Sequence, residues 1–475
     1  MADQPHIFLL MTDQQKASAT QHHGNPHVRT PTWTRFADEG VAYEQCYAQS
    51  PICTPSRASI MTGTYPLVHR VLCHQNHAPQ NLVQLPELLR DAGYHNLVFG
   101  HYESGRSLTR GWDVEVDMRE AGRCDEALMA FYGCGSKKVG WSSGEQPSDS
   151  KGHAAVLNER ILETLNGVDF EAQPVFMHVA YIEPHPPYFP PASYMQRVLE
   201  REGDLPLPPR GSERDEPSWL AKVRENYRTM DASEDDLRRC VAAYYGLIEY
   251  VDEQMGQLLT YLEERGALDN AWVILGSDHG DFTGEKGCFT KTETPYECLL
   301  HVPLVIRGLG GQWRPGERVD NLVELLDLFP TILSLASAGT SPQTQGYDLT
   351  QGDPQRHVTF SAVGEYHGPL GTTMPSGIAK AGRHPGCVRG ARSQTYSYIR
   401  DPDYGDEAYD LEADPNELRN LLKNGQPGPA GVQQLQREMD VWEKRCEELR
   451  GVLDVIEGDR NFAEAPAKSL MPGDR

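Results

Sequence analysis

The chain has 475 residues, of which 39% are hydrophobic and 24% are charged, so its composition allows a packed core and excludes a wholly disordered chain. It carries 44 basic residues against 68 acidic ones, which gives a formal net charge of -24. An electrostatic field of that sign repels DNA, RNA and other long polyanions, and no basic cluster offsets it, so the sequence excludes a nucleic-acid-binding role.

The distribution of apolar residues and cysteines indicates a cytoplasmic protein without a membrane span. No window approaches the roughly 18 consecutive apolar residues that a transmembrane helix needs. The apolar run at residues 7–11 follows no basic segment and is too short for a signal peptide, so it predicts a buried strand. Ten cysteines are scattered without C-x-x-C pairs, which favours reduced core thiols over disulfides or a zinc site.

Short apolar runs alternate with helical patterns along the first two thirds of the chain. Strands are predicted over residues 6–12, 95–100, 175–181, 271–276 and 302–307. Helices are predicted over residues 82–92, 237–265 and 322–338. This alternation is typical of a three-layer α/β/α sandwich with a mostly parallel central sheet.

The remaining segments define the predicted domain organisation. Residues 1–350 are expected to form the main domain, within which the Pro-rich, charged stretch 185–236 predicts a surface excursion or lid. Residues 351–475 are expected to form a smaller C-terminal α+β subdomain with a short antiparallel sheet, ending in a helix over 432–453. Lys286 is expected to be a surface charge.

Polar residues directly follow four of the predicted strands. The residues are Asp13 and Gln14, then His101 and Glu103, then His185, and finally Asp278 and His279. Because the carboxyl ends of parallel strands form one crevice, Asp13, His185, Asp278 and His279 are expected to meet there. Carboxylates, an amide oxygen and an imidazole suit a divalent cation, so the sequence predicts a metal site at this edge.

A second candidate site lies at residues 53–63. Pro55 suits the first position of a helix and Gly63 suits the position just past its end, so Cys53 is expected just before a helix N-terminus. Free N–H groups and the helix dipole favour an anion there, and Arg57 adds a planar fork for a tetrahedral oxyanion. The local pattern is equally compatible with a small buried cysteine in a capped loop.

The segment Cys53-Thr-Pro-Ser-Arg57, followed by Thr62-Gly-Thr-Tyr-Pro66, resembles the signature of type I sulfatases, a family in the alkaline phosphatase superfamily. That family converts the signature cysteine to formylglycine. Further segments occur in the family's order: Thr12-Asp13-Gln14-Gln15, Pro184-His185-Pro-Pro-Tyr188, Ser277-Asp-His-Gly280, and Lys291 ahead of Tyr296-Glu297. The tail from Tyr409 to Asn420 resembles the family's C-terminal marker, so the resemblance covers nearly the whole chain.

The resemblance implies a set of roles for these residues. One divalent metal ion would be held by Asp13, Gln14, Asp278, His279 and the modified residue Cys53. The sulfate group would be surrounded by Arg57, His185 and Lys291, with Asn76 beside them. Formylglycine at position 53, made by a maturase of the host, would supply the nucleophile next to the metal. Arg57 and Lys291 would stabilise charge on the sulfate oxygens, and His185 would protonate the departing alcohol.

The chain departs from the family pattern at two places. Gln14 and His279 stand where many sulfatases carry Asp and Asn, a combination that also resembles phosphonate monoester hydrolases and choline-sulfatases, and that shifts the expected ion from Ca²⁺ towards Mn²⁺. His101 and Glu103 stand where most sulfatases carry Lys and His. Either Glu103 binds a hydroxyl or cationic group of the substrate, or this loop has moved away from the sulfate.

The sequence therefore predicts a sulfuric ester hydrolase that acts on a small anionic sulfate ester, such as a sugar, aryl or alkyl sulfate. One alternative is a phosphonate monoester or phosphodiester hydrolase that uses the same site. A third is a non-catalytic relative that binds an anion without turning it over. The leaving group and the choice between Ca²⁺ and Mn²⁺ stay open, and the sequence is compatible with a homo-oligomer.

Overall fold

A computed structural model describes residues 4–74, 76–102, 109–117, 146, 151–202, 205–211, 216–227, 229–230, 232–309, 313–352, 354–364 and 387–459. Two sheets organise this part of the chain. The large sheet contains β1 (His6–Asp13), β2 (Val41–Tyr47), β3 (His95–Gly100), β4 (Val114–Asp117), β5 (Val175–Pro184), β6 (Ala271–Ser277), β7 (His301–Arg307) and β8 (Glu317–Glu324). The small sheet contains β9 (Thr359–Val363), β10 (Val388–Arg392), β11 (Tyr396–Arg400) and β12 (Glu407–Asp410).

The large sheet has the strand order β4-β3-β5-β1-β6-β7-β2-β8. Strand β7 runs antiparallel to both of its neighbours, and the other pairs are parallel. The predicted mostly parallel sheet is therefore confirmed. β1 lies between β5 and β6, so the carboxyl ends of these three strands adjoin.

Helices cover both faces of the large sheet. They are α1 (Pro31–Glu39), α2 (Cys53–Thr62), α3 (Pro66–His69), α4 (Leu85–Asp91), α5 (His153–Leu165), α6 (Ala192–Glu202), α7 (Ser218–Tyr227), α8 (Glu234–Glu264), α9 (Glu297–Leu300), α10 (Leu328–Leu335) and α11 (Ala430–Asp459). Short 3₁₀ turns occupy Ala17–Ala19, Glu285–Gly287, Leu325–Asp327, Leu349–Gln351 and Lys423–Gly425.

The two sides of β1 show why the fold has three layers. Successive side chains of a strand point to opposite faces, and all of β1 is apolar until its last two residues, apart from His6 at its start. Ile7 and Leu9 pack with α4 and α10 on one face. Phe8 and Leu10 pack with α1, α5 and α8 on the other. Both faces of the sheet are thus buried, which confirms the α/β/α sandwich.

The small sheet is antiparallel, in the order β12-β11-β10-β9, and α11 packs against it. This agrees with the predicted C-terminal α+β architecture, while the boundary at residue 350 stays a prediction. Among the described residues, no helix combines the length and apolarity that crossing a membrane requires.

Two predicted segments differ from the structure. Residues 322–324, predicted as the start of a helix, are the end of β8, and the helix begins only at Leu328. A run of apolar residues cannot distinguish a buried strand from a buried helix, which explains the difference. The stretch 185–236, predicted as a surface excursion, contains α6 and α7, and Trp219 and Leu220 of α7 are buried in a hydrophobic cluster.

Candidate active site

Helix α2 brings the first candidate residues into the site. It begins at Cys53, follows Ile52, and ends at Gly63 in the left-handed conformation. The prediction that Pro55 occupies the first helical position was wrong by two residues, because a proline is also tolerated elsewhere in the first turn, where N–H groups have no intrahelical partner. Cys53 is consequently the first residue of the helix, at the positive end of its dipole.

Every residue of α2 is buried, although half of them are polar. The polar side chains are paired within the protein. Ser56 donates a hydrogen bond to the backbone carbonyl of Asp278 (2.6 Å), and Ser59 is hydrogen-bonded to His69 (3.0 Å). The first of these bonds attaches the start of α2 to the end of β6.

Four buried side chains meet where β1, β6 and α2 converge. The carboxylates of Asp13 and Asp278, the Sγ atom of Cys53 and a ring nitrogen of His279 all lie within 4.8 Å of one another. Thr12 pairs with Ser277 in the β1–β6 register, which explains why residues following the two strands adjoin. Within the described ranges, this is the one group of His, Cys, Asp and Glu side chains compact enough to hold a metal ion.

The orientation of His279 and of the neighbouring Gln14 fits a divalent cation at this cluster. Nδ1 of His279 lies 2.9 Å from the Gly280 carbonyl, which can only accept, so the other nitrogen, Nε2, presents a lone pair towards the cluster. Burial, with Lys291, lowers the pKa of His279 to about 4, so the ring is neutral at pH 7. Oε1 of Gln14 is buried and has no hydrogen-bond partner. Carboxylate, amide and imidazole donors of this kind suit a divalent cation.

Lys291 lies directly against Cys53. Its Nζ atom is 2.8 Å from Cys53 Sγ and 3.0 Å from His279 Nε2. Although burial opposes it, the neighbouring Cys53 and Asp13 raise the pKa of Lys291, so the ammonium is charged. Burial, with Asp13, raises the pKa of the Cys53 thiol well above its usual value, so an unmodified cysteine would remain a protonated, weakly nucleophilic thiol here.

Arg57 holds the two carboxylates of the cluster. Its Nε atom is 2.8 Å from Asp278 Oδ2, and its Nη2 atom is 3.1 Å from Asp13 Oδ2. Nη1 is buried and has no partner, so it is available to an oxyanion. Although burial acts in the opposite direction, His185, Lys291 and Arg57 hold the pKa of Asp13 well below its ordinary value.

His185 follows β5 and lies at the same end of the sheet, half-buried. Its Nδ1 atom is 2.7 Å from the Pro186 carbonyl, so in the neutral ring Nδ1 carries the proton and Nε2 is an acceptor. Burial, with Lys291, lowers the pKa of His185 to about 3. With the surroundings that the protein itself provides, therefore, His185 is neutral at pH 7 and has no proton at Nε2 to donate.

The three predicted substrate-binding residues, His101, Asn76 and Glu103, differ in their positions relative to the site. His101 lies near enough to His185 to lower the pKa of that ring. Asn76 uses its side-chain oxygen within its own loop, accepting from the N–H groups of residues 72 and 73. Glu103 lies outside the described residues. His74, which the sequence analysis did not single out, lies beside the start of α2, with Nδ1 2.8 Å from Thr54 Oγ1.

A comparison with known proteins decides the family. The sequence model of the family described as "Sulfatase" matches residues 5–338. The chain belongs to the sulfatase family. The prediction of a sulfuric ester hydrolase is thus confirmed at the level of the family.

Three relatives of this sulfatase span nearly its full length. It is 27% identical to an arylsulfatase of Clostridium perfringens, with 88% of this chain and 90% of the relative covered. It is 26% identical to a choline-sulfatase of Rhizobium meliloti, with coverage of 88% and 83%. A phosphonate monoester hydrolase from Silicibacter pomeroyi shares the fold, with a TM-score of 0.76, 24% identity and coverage of 93% and 96%.

The sulfatase structure also shows supporting roles that the sequence did not indicate. Tyr188 Oη donates to Asp281 Oδ2 (2.6 Å), directly behind Gln14. Lys286 is buried, not on the surface as predicted, and its ammonium lies over the rings of Tyr296 and Tyr409. A tyrosine next to prolines and a lysine next to glycines carry no sequence signal of such roles, since the partners come from distant segments.

Proposed function

We propose that this sulfatase hydrolyses a small sulfate monoester to an alcohol and sulfate, using formylglycine made from Cys53 and one divalent cation, Mn²⁺ or Ca²⁺. The observation that supports this most directly is the position of Cys53. It lies at the start of α2, within 4.8 Å of the donor atoms of Asp13, Asp278 and His279, and under the ammonium of Lys291.

Asp13, Gln14, Asp278 and His279 would hold the cation together with residue 53. When bound, the cation would lower the pKa of a neighbouring hydroxyl and withdraw charge from the ester, while the aldehyde at position 53 would supply, in its hydrated form, the attacking hydroxyl. The protein's own contribution begins with Arg57. Because it forms ion pairs with both Asp13 and Asp278, Arg57 would fix the spacing of the two carboxylates before the cation binds.

Lys291 and Arg57 would bind the sulfate oxygens. The ammonium of Lys291 reaches position 53, and Nη1 of Arg57 is the guanidinium nitrogen left without a protein partner. Charges that are fixed in a buried site need no reorganisation as negative charge develops on the oxygens. These two cations would therefore stabilise the transition state more than the bound ester.

His185 would provide the proton for the departing alcohol only after substrate has entered. Among the protein's own groups the ring is neutral, with Nε2 as an acceptor. An anionic ester beside the ring favours its protonated form, because an opposite charge within a few ångströms raises the pKa of an imidazole. His185 then donates from Nε2 while Nδ1 stays bonded to the Pro186 carbonyl.

A paired assay tests the proposal. The protein would be co-expressed with a formylglycine-generating maturase, and mass spectrometry would establish conversion of Cys53 to the aldehyde. A single aryl leaving group would be offered as sulfate monoester, phosphonate monoester and phosphodiester, with Mn²⁺ or Ca²⁺. A kcat/KM highest for the sulfate, and lost in Cys53→Ala, is expected. Absence of turnover of all three esters by fully converted protein would favour the anion-binding relative instead.

A phosphonate monoester or phosphodiester hydrolase is the second candidate. The structural similarity to the Silicibacter pomeroyi enzyme supports it, as do the neutral Gln14 and His279 in the metal cluster. The three esters are all monoanions, so the net charge of the site does not distinguish them, and direct comparison of the esters is required. A kcat/KM that is highest for the phosphonate or the diester would establish this alternative.

A further inference from the structure

Asp281 lies behind the predicted metal cluster and contacts Gln14 directly. Its Oδ2 atom accepts hydrogen bonds from Gln14 Nε2 (2.6 Å) and from Tyr188 Oη (2.6 Å). Its Oδ1 atom accepts from the backbone N–H of Thr283 (2.6 Å) and from the Thr283 hydroxyl (3.0 Å). All these side chains are buried.

These contacts require Asp281 to act as an acceptor only. The Tyr188 oxygen receives the N–H of Thr290 (3.0 Å), so its own proton is free to point at Asp281. Each of the two Asp281 oxygens therefore faces two hydrogen-bond donors, so both oxygens serve as acceptors. An accepting oxygen of Asp281 thus lies within hydrogen-bond distance of Gln14.

The same contacts determine which end of the Gln14 amide is available to a cation. An oxygen at the Nε2 position would face the Asp281 carboxylate at 2.6 Å, so the NH₂ group must occupy it. Oε1 is then left without a partner in a buried position. The backbone N–H of Gln14 donates to Asp278 Oδ1 (3.0 Å), which keeps this residue against the cluster.

We propose that Asp281 is a positioning residue for the metal site: it turns the oxygen of Gln14 towards the cation and, through the NH₂ group, increases the negative charge on that oxygen. This inference rests on the proposed function, since it concerns the cation used there. Groups that orient metal ligands in this way commonly change metal affinity by about 10–100-fold.

The variant Asp281→Asn should reverse the orientation of the Gln14 amide. The two donors of Thr283 require an oxygen at the Oδ1 position, so the new NH₂ group occupies the Oδ2 position. It would face the NH₂ group of Gln14, and the Gln14 amide would turn over and present NH₂ to the cation. We expect the Kd for Mn²⁺ to increase by about 10–100-fold.

A compensating variant separates this explanation from general damage. In Gln14→Glu/Asp281→Asn, the asparagine NH₂ donates to one oxygen of the new carboxylate at position 14, and the other oxygen is available to the cation. Affinity for Mn²⁺ should return to within a few-fold of the unaltered protein. Tyr188→Phe is the matched control, because it removes a buried hydrogen bond to the same Oδ2 atom without altering the Gln14 contact.

The experiment is a calorimetric titration of Mn²⁺ alone, and of Ca²⁺ alone, into each full-length, aldehyde-containing protein, with urea unfolding of the metal-free forms alongside. Binding of neither ion by the unaltered protein would overturn the proposed function. Normal binding by that protein together with equal affinity in Asp281→Asn would overturn only the role of Asp281. An equal loss in Tyr188→Phe, or no recovery in the double variant, would also overturn it, since the effect would then be one of stability.

Discussion

The ammonium of Lys291 lies 2.8 Å from Cys53 Sγ and 3.0 Å from His279 Nε2. This one ammonium group therefore contacts both the predicted nucleophile position and a predicted metal ligand. Lys291→Ala would remove that charge from a buried site. We expect kcat/KM for an aryl sulfate to fall by about 10²–10³-fold, as when a donor to a developing oxyanion is lost. Steady-state kinetics measure this, with Lys151→Ala at an exposed position as the control. A loss below tenfold would contradict the assigned role.

Arg57 compensates two buried carboxylates in the absence of metal. Arg57→Met removes the guanidinium that pairs with both Asp13 and Asp278, which costs about 3–5 kcal/mol of folding free energy. Mn²⁺ supplies positive charge to the same carboxylates, so it should recover part of the loss. Urea unfolding with EDTA and with Mn²⁺ tests both statements. The idea fails if the variant and the unaltered protein unfold at the same urea concentration in EDTA.

Lys286 connects the loop that precedes Lys291 to the C-terminal segment. Its ammonium donates to the Glu417 carbonyl and lies 4.3 Å from the centre of the Tyr296 ring. Lys286→Met should reduce the free energy of unfolding by about 1–3 kcal/mol, since a buried hydrogen bond and a cation–π contact are lost. Its effect on kcat/KM should be smaller than that of Lys291→Ala. Lys151→Met serves as the control, and equal unfolding midpoints for the two variants would argue against this connection.

Gly63 ends α2, the helix that carries Cys53. It has a φ of 65°, and a Cβ atom there would lie 2.7 Å from Phe329 Cδ1. Gly93 also has a positive φ, of 94°, but a Cβ atom there would meet nothing within 4 Å. Both Gly→Ala changes incur backbone strain, whereas only Gly63→Ala adds overpacking, which costs about 1–3 kcal/mol more. Thermal unfolding of both variants measures the difference, and equal losses would show that Phe329 gives way freely.

The raised pKa of the buried Asp252 predicts that the stability of the protein depends on pH. The Asp252 carboxylate accepts hydrogen bonds from the backbone N–H groups of Thr32 and Trp33 at the start of α1. Burial raises the pKa of Asp252 to about 7, above its ordinary value of 3.8. The folded state therefore holds a proton that the unfolded chain has already lost, so this contribution to stability is present at pH 4 and disappears as the pH rises to 7.

Asp252→Asn removes this titration. Between pH 4 and pH 7, the stability of the unaltered protein should fall more steeply than that of the variant, by about 1 kcal/mol per pH unit. Urea unfolding at intervals of one pH unit measures both slopes. Parallel curves would mean that Asp252 stays ionised throughout.

Much of the fold follows from local patterns. The apolar runs of β1, β3, β5, β6 and β7 are the strands that were predicted, since buried strands of a parallel sheet are apolar on both faces. The long helix α8 begins and ends within three residues of the predicted bounds. The terminal helix α11 begins within two residues of its predicted start and extends six residues beyond its predicted end. Strand β2, by contrast, was not predicted. Its sequence mixes polar and apolar residues, and its pairing with β7 and β8 depends on segments far away along the chain.

The candidate site, like the fold, was predicted only in part from the sequence. Polar residues after buried strands, together with the signature at Cys53, were enough to place Asp13, Asp278 and His279 at one edge of the sheet, because parallel strands bring their carboxyl ends together. The sequence did not indicate that Arg57 grips both carboxylates, that Asp281 orients Gln14, or that Lys286 is buried against Glu417. Each of these contacts joins segments that are between 44 and 267 residues apart. Whether such a contact forms depends on side-chain rotamers and on the positions of hydrogen-bond donors. Only the packed structure brings these groups within reach of one another.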